Sequence, residues 1–359
     1  MSKAPTLSLR STRLALIQLG QNSLTKSLNL LRAREAVLRA AKEDGGADMV
    51  VLPECFNSPY GVNHFPTYAE SLGGLWEKIK KRLPPALTRV PPGQEEARWT
   101  IDGVESSKQD GKAGAGGPID VSQIATQSES VKMLSEVAKE ASVVLVGGSI
   151  PERDDVSGKL YNTSMVFDQE GRLISMFRKI HLFDINIPGK MVFKESETLT
   201  AGDRVTVFDC AFGRFGLAIC YDMRFPELAQ IAARLGAGAM LYPGAFNTTT
   251  GPRHWELLQR ARATDNQIYV ATCSPARPSE KSTTSKDGLH KIVGSDDGAY
   301  PTYGHSTIVD PWAQVVATTD EKEGIVKWTL DPKVVDEARS GIPIMTQRQF
   351  HVYPNVLQG

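Results

Sequence analysis

The chain is 359 residues long, with 41 Lys plus Arg against 41 Asp plus Glu and a formal net charge of zero. That length holds either two domains or one large unit, and in both cases it buries a full hydrophobic core. The balanced charge excludes the basic footprint of a nucleic-acid or anionic-membrane binder, so the expected partner is a small molecule.

Four cysteines, Cys55, Cys210, Cys220 and Cys273, are widely spaced with no CxxC pair. This argues against a disulfide scaffold or a structural zinc site and for a reducing compartment. No apolar run approaches the ~20 residues that cross a bilayer. Residues 1–34 lack acids and are rich in Ser, Thr, Lys and Arg, as transit peptides are, yet an apolar strand already starts near Leu14. A cytoplasmic location is expected, with the mitochondrion as the alternative.

The predicted elements begin with a strand, LALIQL at 14–19, a helix over 27–42 and a second strand, MVVLPE at 49–54. Residues 83–128 carry PP twice, a GKAGAGG tract and few apolar positions at any period, so they read as a surface insertion or lid. A helix over 130–141 leads to the strands VVLVGGSI (143–150), SMVFD (164–168) and LISMFRK (173–179). GLAICY (216–221), a helix over 226–235, AMLYPG (239–244), a helix over 252–265 and IYVATCS (268–274) follow. Residues 276–303 read as a second surface insertion, before STIVD (306–310) and a short helix after Pro332. Near-continuous apolar strands mark sheets covered on both faces, and their alternation with helices gives an α/β layered fold.

Glu54, Lys179 and Cys220 each stand where a predicted strand ends, and the carboxyl ends of strands line the ligand crevice of α/β sheets. Each also has a structural reading. Glu54 can cap the turn in PECFNSPYG, Lys179 can extend from a sheet end to solvent, and Cys220 can pack as a small hydrophobe. Together they supply what attack on an amide needs. A thiol with a reference pKa of ~8.5 is only a few per cent thiolate at neutral pH and requires a base, here Glu54. Lys179 and the backbone N–H of Tyr221 would hold the developing oxyanion, each donor contributing about 3–4 kcal/mol. Glu54, once protonated, would pass its proton to departing ammonia and later take one from the water that frees the acyl group.

LPECFNSPYG, RKIHLFD, FKES, ICYDMRFPEL and YPGAFNTTTGPRHWELLQRARATDNQIYVATCSPAR resemble the nitrilase superfamily of carbon-nitrogen hydrolases, and within it the omega-amidase branch. The resemblance runs from about Leu14 to Tyr353 and implies a single domain over residues 10–359, interrupted at about 83–128 and 276–303. It implies a four-layer αββα sandwich of the nitrilase type, a homodimer joined through helices, and neither cofactor nor metal. The family's triad falls on Glu54, Lys179 and Cys220. Glu195 would pin the lysine and help position substrate, and Tyr60 would cover the acyl pocket. Arg224 has two readings, recognition of a substrate carboxylate or restraint of Glu227 and nearby backbone. Phe246, Thr248, Thr249 and Thr250 of AFNTTTG would line the pocket. The implied substrates are omega-amides of short dicarboxylates, above all 2-oxoglutaramate and 2-oxosuccinamate, hydrolysed to the keto acid and ammonia.

Within the superfamily the alternative is an amidase of deaminated glutathione, which shares ICYDMRFPEL but carries other residues at NTTTG and ECFNSPYG. Outside it, GQNSLTKS at 20–27 has the position of a phosphate-binding loop, but Thr25 stands where the motif needs its second glycine. The six histidines show no HExxH or HxH spacing, which leaves a metal hydrolase without a ligand set. A scaffold without chemistry is the last alternative, and the filled triad positions count against it.

Overall fold

A computed structural model describes residues 9–20, 22–80, 117–124, 126–189, 191–278, 283–284, 291–292, 300–349 and 352. Among them the strands form two large sheets. The first holds β1 (Thr12–Gln18), β2 (Met49–Val51), β3 (Glu70–Ser71), β4 (Val144–Val146), β5 (Ile150–Arg153), β6 (Leu160–Phe167) and β7 (Leu173–Arg178). β8 (Asp184–Ile187) and β9 (Met191–Lys194) make a separate hairpin. The second sheet begins with β10 (Thr206–Cys210), β11 (Gly213–Leu217), β12 (Ala239–Pro243) and β13 (Tyr269–Cys273). A small pair, β14 (Thr283–Thr284) with β15 (Lys291–Ile292), precedes β16 (Thr307–Val309) and β17 (Val315–Thr318), which complete that sheet. β18 (Gly324–Leu330) returns to the first sheet and lies antiparallel to β1.

The first sheet runs β18-β1-β2-β4-β6-β5-β3 with β7 also on β6, and the second runs β10-β11-β12-β13-β16-β17. β1, β2 and β4 are parallel, as are β11, β12 and β13, so the carboxyl ends of β2 and β11 are free to present side chains.

Side-chain alternation along β1 assigns the layers. Leu14 and Leu16 join Met49, Val51, Phe215, Leu217 and Ile308 in the core between the sheets. Ala15 and Ile17 face the other way, into a second core with Ala33 and Val37 of α1 (Lys26–Lys42). Two short helices, α2 (Phe65–Tyr68) and α3 (Leu75–Lys80), precede α4 (Glu129–Ala141), whose Val131, Leu134 and Ala138 fill the same layer. Their helical spacing makes one apolar face, and Ser128 caps the start by accepting the Val131 N–H at 3.0 Å. On the far side α5 (Pro226–Arg234) and α6 (Gly251–Asn266) cover the second sheet through Ala229, Ala232, Ala233, Trp255 and Ala263. The order helix, sheet, sheet, helix is the four-layer αββα sandwich. Each fully buried large apolar side chain contributes about 1.5–3 kcal/mol, so the pair of cores dominates folding. No helix among the described residues is long and apolar enough to cross a membrane.

One sequence expectation changes in detail. Residues 117–128, assigned to an insertion, include Ile119, which bridges Leu173 with N–H···O distances of 2.8 Å in both directions, and the Ser128 cap. Their buried apolar side chains belong to the first sheet's outer layer; residues 83–116 lie outside the described residues. The 20–27 segment, already set against a phosphate loop by Thr25, has the Asn22 side chain spent inside the protein. Asn22 Nδ2 donates to the Cys55 and Ser58 carbonyls at 3.1 and 2.5 Å, and Asn29 of α1 donates to the Asn57 carbonyl at 3.2 Å.

Candidate active site

β2 runs on through Leu52, which donates to the Val146 carbonyl at 3.0 Å, and then turns at Pro53. The break between β4 and β5 receives this turn. Ser149 N–H donates to the Pro53 carbonyl at 3.2 Å, the Cys55 N–H donates to Ser149 Oγ at 3.0 Å, and the Phe56 N–H donates to the Ser149 carbonyl at 3.2 Å. Gly148 makes the approach possible: its φ is +55° and a Cβ there would lie 2.2 Å from the Pro53 carbonyl oxygen. The turn delivers Glu54 into the protein, 1% exposed.

Lys179 follows β7, with its N–H donating to the Asn162 carbonyl at 2.8 Å. Its ammonium, also 1% exposed, donates to Glu54 Oε1 at 2.9 Å and to Glu195 Oε1 at 3.0 Å. Glu195 sits directly after β9 and is fully buried. Its Oε1 also accepts the Tyr60 hydroxyl at 2.8 Å, and its Oε2 accepts the Phe183 N–H at 2.7 Å. Asn162 Nδ2, from β6, donates to Glu54 Oε1 at 2.9 Å, so Asn162 holds Lys179 by its backbone and Glu54 by its side chain. Glu54 Oε2 has no hydrogen-bond partner among the described residues.

Cys220 lies beyond β11 at φ +48°, the left-handed region that costs a non-glycine residue about 1–2 kcal/mol. A tight turn, Cys220–Arg224, carries the chain from there into α5. Buried Asp222 holds that turn: its Oδ2 accepts the Ile219 N–H at 3.0 Å and its Oδ1 accepts the His181 N–H at 2.9 Å. Asp222 thereby ties the segment after Lys179 to the segment before Cys220. The Ala245 N–H points at Cys220 Sγ at 3.4 Å. The Tyr221 N–H stands at the open N-terminal end of the turn, where no preceding turn supplies an acceptor.

Burial dominates the electrostatics. Loss of water pushes the Glu54 carboxyl up; the Lys179 charge opposes this and the Glu195 charge adds to it. Burial pushes the Cys220 thiol well above its usual range, and the Glu54 charge beside it adds to the rise while Lys179 opposes it. For Lys179 burial alone would lower the pKa, but Glu195 and Glu54 hold it well above the ordinary lysine range. Lys179 is therefore a cationic donor, unable to serve as a base near neutral pH.

Of the residues singled out in the sequence, Glu54, Lys179, Glu195 and Tyr60 meet in one hydrogen-bonded cluster, with Cys220 beside it. Tyr60 stacks on Phe193 at 5.9 Å and touches Phe65 and Tyr300. Tyr221 packs edge-on against Phe183 at 5.1 Å. Phe246 is buried against Trp255 at 4.9 Å. Arg224 lies over Phe246 at 4.9 Å and Tyr221 at 5.5 Å, with Nη1 3.1 Å from His254 Nδ1. It forms no ion pair with Glu227, which is exposed in the first turn of α5. Thr248 is exposed and Thr249 half-buried; the Thr250 hydroxyl is spent on Asn247 Oδ1 at 3.1 Å.

Three residues escaped the sequence reading: Asn162, Asp222 and Tyr300. The last emerges from the 276–303 segment, is buried, packs 4.5 Å from Tyr60, and accepts the Asn247 side-chain amide at 3.3 Å. Among the described residues no group of three or more His, Cys, Asp or Glu side chains is arranged to hold a metal ion.

The chain matches the carbon-nitrogen hydrolase family over residues 13–340. It is 46% identical over 348 residues to a hydrolase of Schizosaccharomyces pombe, covering 97% of this chain and 85% of that one. It is also 46% identical over 341 residues to the omega-amidase NIT2 of Mus musculus, covering 95% and 96%. The solved structure of Saccharomyces cerevisiae Nit3, a member of branch 10 of the nitrilase superfamily, aligns with a TM-score of 0.69 and 38% identity over 97% of this chain and 100% of that one.

Proposed function

The chain belongs to the carbon-nitrogen hydrolase family, and from that premise we propose that it hydrolyses omega-amides of short dicarboxylic keto acids, 2-oxoglutaramate and 2-oxosuccinamate, through an acyl-thioester on Cys220. The observation that carries the reading is the division of labour on Glu54. One oxygen is occupied by Lys179 and Asn162, and the other is buried, without a hydrogen-bond partner among the described residues, beside a thiol whose pKa the same carboxylate raises.

In this reading Cys220 Sγ attacks the amide carbon as its proton passes to Glu54 Oε2. The C=O π pair moves to oxygen, and the oxyanion is met by Lys179 Nζ and the Tyr221 N–H. Glu54 then protonates the amide nitrogen, the C–N bond breaks, and ammonia leaves behind a thioester. A water attacks that thioester while giving a proton to Glu54. The thiolate is expelled and reprotonated, and the acid departs. Each donor to the oxyanion lowers the barrier by about 3–4 kcal/mol. Lys179 transfers no proton at any step, consistent with its elevated pKa.

Recognition of the carboxylate end, opposite the omega-amide, rests on Arg224. Its half-buried guanidinium has no carboxylate partner among the described residues and lies between the rings of Phe246 and Tyr221, so a substrate carboxylate would supply the missing charge. Tyr60, Phe246 and Thr249 would form the acyl pocket, with Thr248 at its rim. A homodimer is proposed through the outer face of α6, where Leu257 is 63% exposed. The free thiols favour a reducing compartment, the cytoplasm in the first place.

The test is ammonia release from a panel of 2-oxoglutaramate, 2-oxosuccinamate, deaminated glutathione and simple nitriles. Preference for the two omega-amides is expected, together with total loss in Cys220→Ala at unchanged thermal stability. Turnover retained by Cys220→Ala would move the nucleophile elsewhere.

A further inference from the structure

Helix α6 grips the nucleophile turn in two ways. Arg262 fixes its backbone, donating from Nε to the Met223 carbonyl at 3.0 Å and from Nη2 to the Arg224 carbonyl at 3.2 Å. His254, two turns earlier, meets the Arg224 side chain instead, with 3.1 Å between Nδ1 and Nη1. A guanidinium has donors only, so Nδ1 must offer its lone pair and the ring must be neutral with its proton on Nε2. Among the described residues this imidazole is the only hydrogen-bond partner of the Arg224 guanidinium, which also lies over the rings of Phe246 and Tyr221.

We propose that His254 is a specificity-determining positioning residue: its neutral imidazole holds Arg224 toward the substrate carboxylate, and its protonation releases that hold. The inference rests on the carboxylate reading of Arg224 given above. The charges acting on the imidazole are Arg224 from the nucleophile turn and Arg253 from its own helix, both cations. Partial burial and these two charges favour the neutral ring and lower its pKa. A proton on Nδ1 removes the acceptor and places a third positive charge among them. Arg224 then loses its one directional contact, and substrates that depend on it bind less well as the pH falls.

Neutral amides make no use of Arg224 and provide the internal control. Succinamate and butyramide differ only in a carboxylate against a methyl group at the far end from the amide. The measured quantity is the ratio of their KM values, succinamate over butyramide, from about pH 8 down to about pH 5, where an ordinary histidine changes charge. In the intact enzyme the ratio is expected to rise as the pH falls. His254→Leu should raise it about tenfold at the upper pH and flatten its pH dependence, since one hydrogen bond to a charged group is lost. His254→Asn, which keeps an acceptor that does not titrate, should restore most of the ratio and remain flat.

A ratio unmoved by His254→Leu, or a pH dependence that survives in His254→Asn, overturns the inference. Arg224→Met separates it from the reading beneath. If that variant abolishes the discrimination while His254→Leu leaves it intact, the role of His254 alone fails. If Arg224→Met itself leaves the ratio unchanged, the carboxylate subsite falls and the inference with it.

Discussion

Glu195 is the sharpest place to perturb the site, because it acts both through its hydrogen bond with Lys179 and through its charge on Glu54. In Glu195→Gln the shape survives but one oxygen becomes an NH2 group. Oε1 receives two donors, Lys179 and Tyr60, and Oε2 receives the Phe183 N–H. Whichever way the amide turns, its nitrogen faces a donor, leaving at least one buried group unsatisfied at about 1–3 kcal/mol. The weaker hold on Lys179 removes a charge-assisted hydrogen bond of about 1.5–3 kcal/mol, so kcat is expected to fall roughly tenfold to a hundredfold. The pH profile is more discriminating. The negative charge of Glu195 is one of the causes that raise the Glu54 pKa, second to burial among the raising causes, while Lys179 lowers it. Removing that charge lowers the Glu54 pKa, so the acid limb of kcat/KM, where Glu54 must be deprotonated, moves to lower pH. Initial rates of ammonia release from 2-oxoglutaramate across the acid range, with thermal melts in parallel, read both effects. An acid limb that stays in place or moves upward would refute the assignment of Glu54 as the base sensed through this cluster.

Asn162→Leu should move the same limb the other way. The lost amide donor had favoured the charged form of Glu54, so its pKa rises and the limb shifts to higher pH, with kcat lower by about tenfold. The stability loss should be small, since Asn162 Oδ1 has no partner among the described residues and its removal offsets part of the cost; a large drop in melting temperature would contradict this. Asp154 tests linkage away from the site. Burial would raise its pKa, but hydrogen bonds from Arg178 and Ser157 bring it down to about 2. A carboxyl depressed in the folded state stabilises above its unfolded pKa of about 4 and ceases to do so as the pH falls through about 2. Asp154→Asn should therefore be less stable at neutral pH and show a flatter loss of stability across that acid window in urea unfolding; an unchanged slope would exclude the ion pair as its origin.

The trio was legible because each member follows a short apolar strand, where a polar side chain is out of pattern. Asn162 was not, since it sits inside LYNTSMVF among other polar residues, and only the pairing of β6 with β7 brings it to Lys179. Asp222 reads in sequence as an ordinary acid near a helix start; its ties to Ile219 and His181 depend on two chain segments 41 residues apart. Tyr300 was concealed by polar surroundings that suggest surface. The threonines of NTTTG misled in another way. Asn247 Oδ1 accepts the Thr249 and Thr250 N–H groups and the Thr250 hydroxyl, so the run is organised as a turn into α6 and its polarity is partly consumed there. The longer helices were foreseen within a residue or two, but the short helices α2, α3 and Ile344–Gln347 were not, and β3, β5, β8, β9, β10, β14, β15, β17 and β18 escaped because short, edge and hairpin strands lack a continuous apolar run.

Burying two carboxylates around one ammonium is an expensive way to build a sheet edge. Each ion loses several kcal/mol of hydration, and apolar side chains of the same volume would commonly be as stable or more so. The arrangement is also unbalanced, with two acids on one cation, and Glu54 Oε2 has no hydrogen-bond partner among the described residues, with the Cys220 thiol beside it. In the proposed mechanism that oxygen is the one that takes the thiol proton. The left-handed backbone at Cys220 fits the same logic. In the proposed mechanism that bend has a use, because it sets the Cys220 sulfur beside the Glu54 carboxylate that would take its proton.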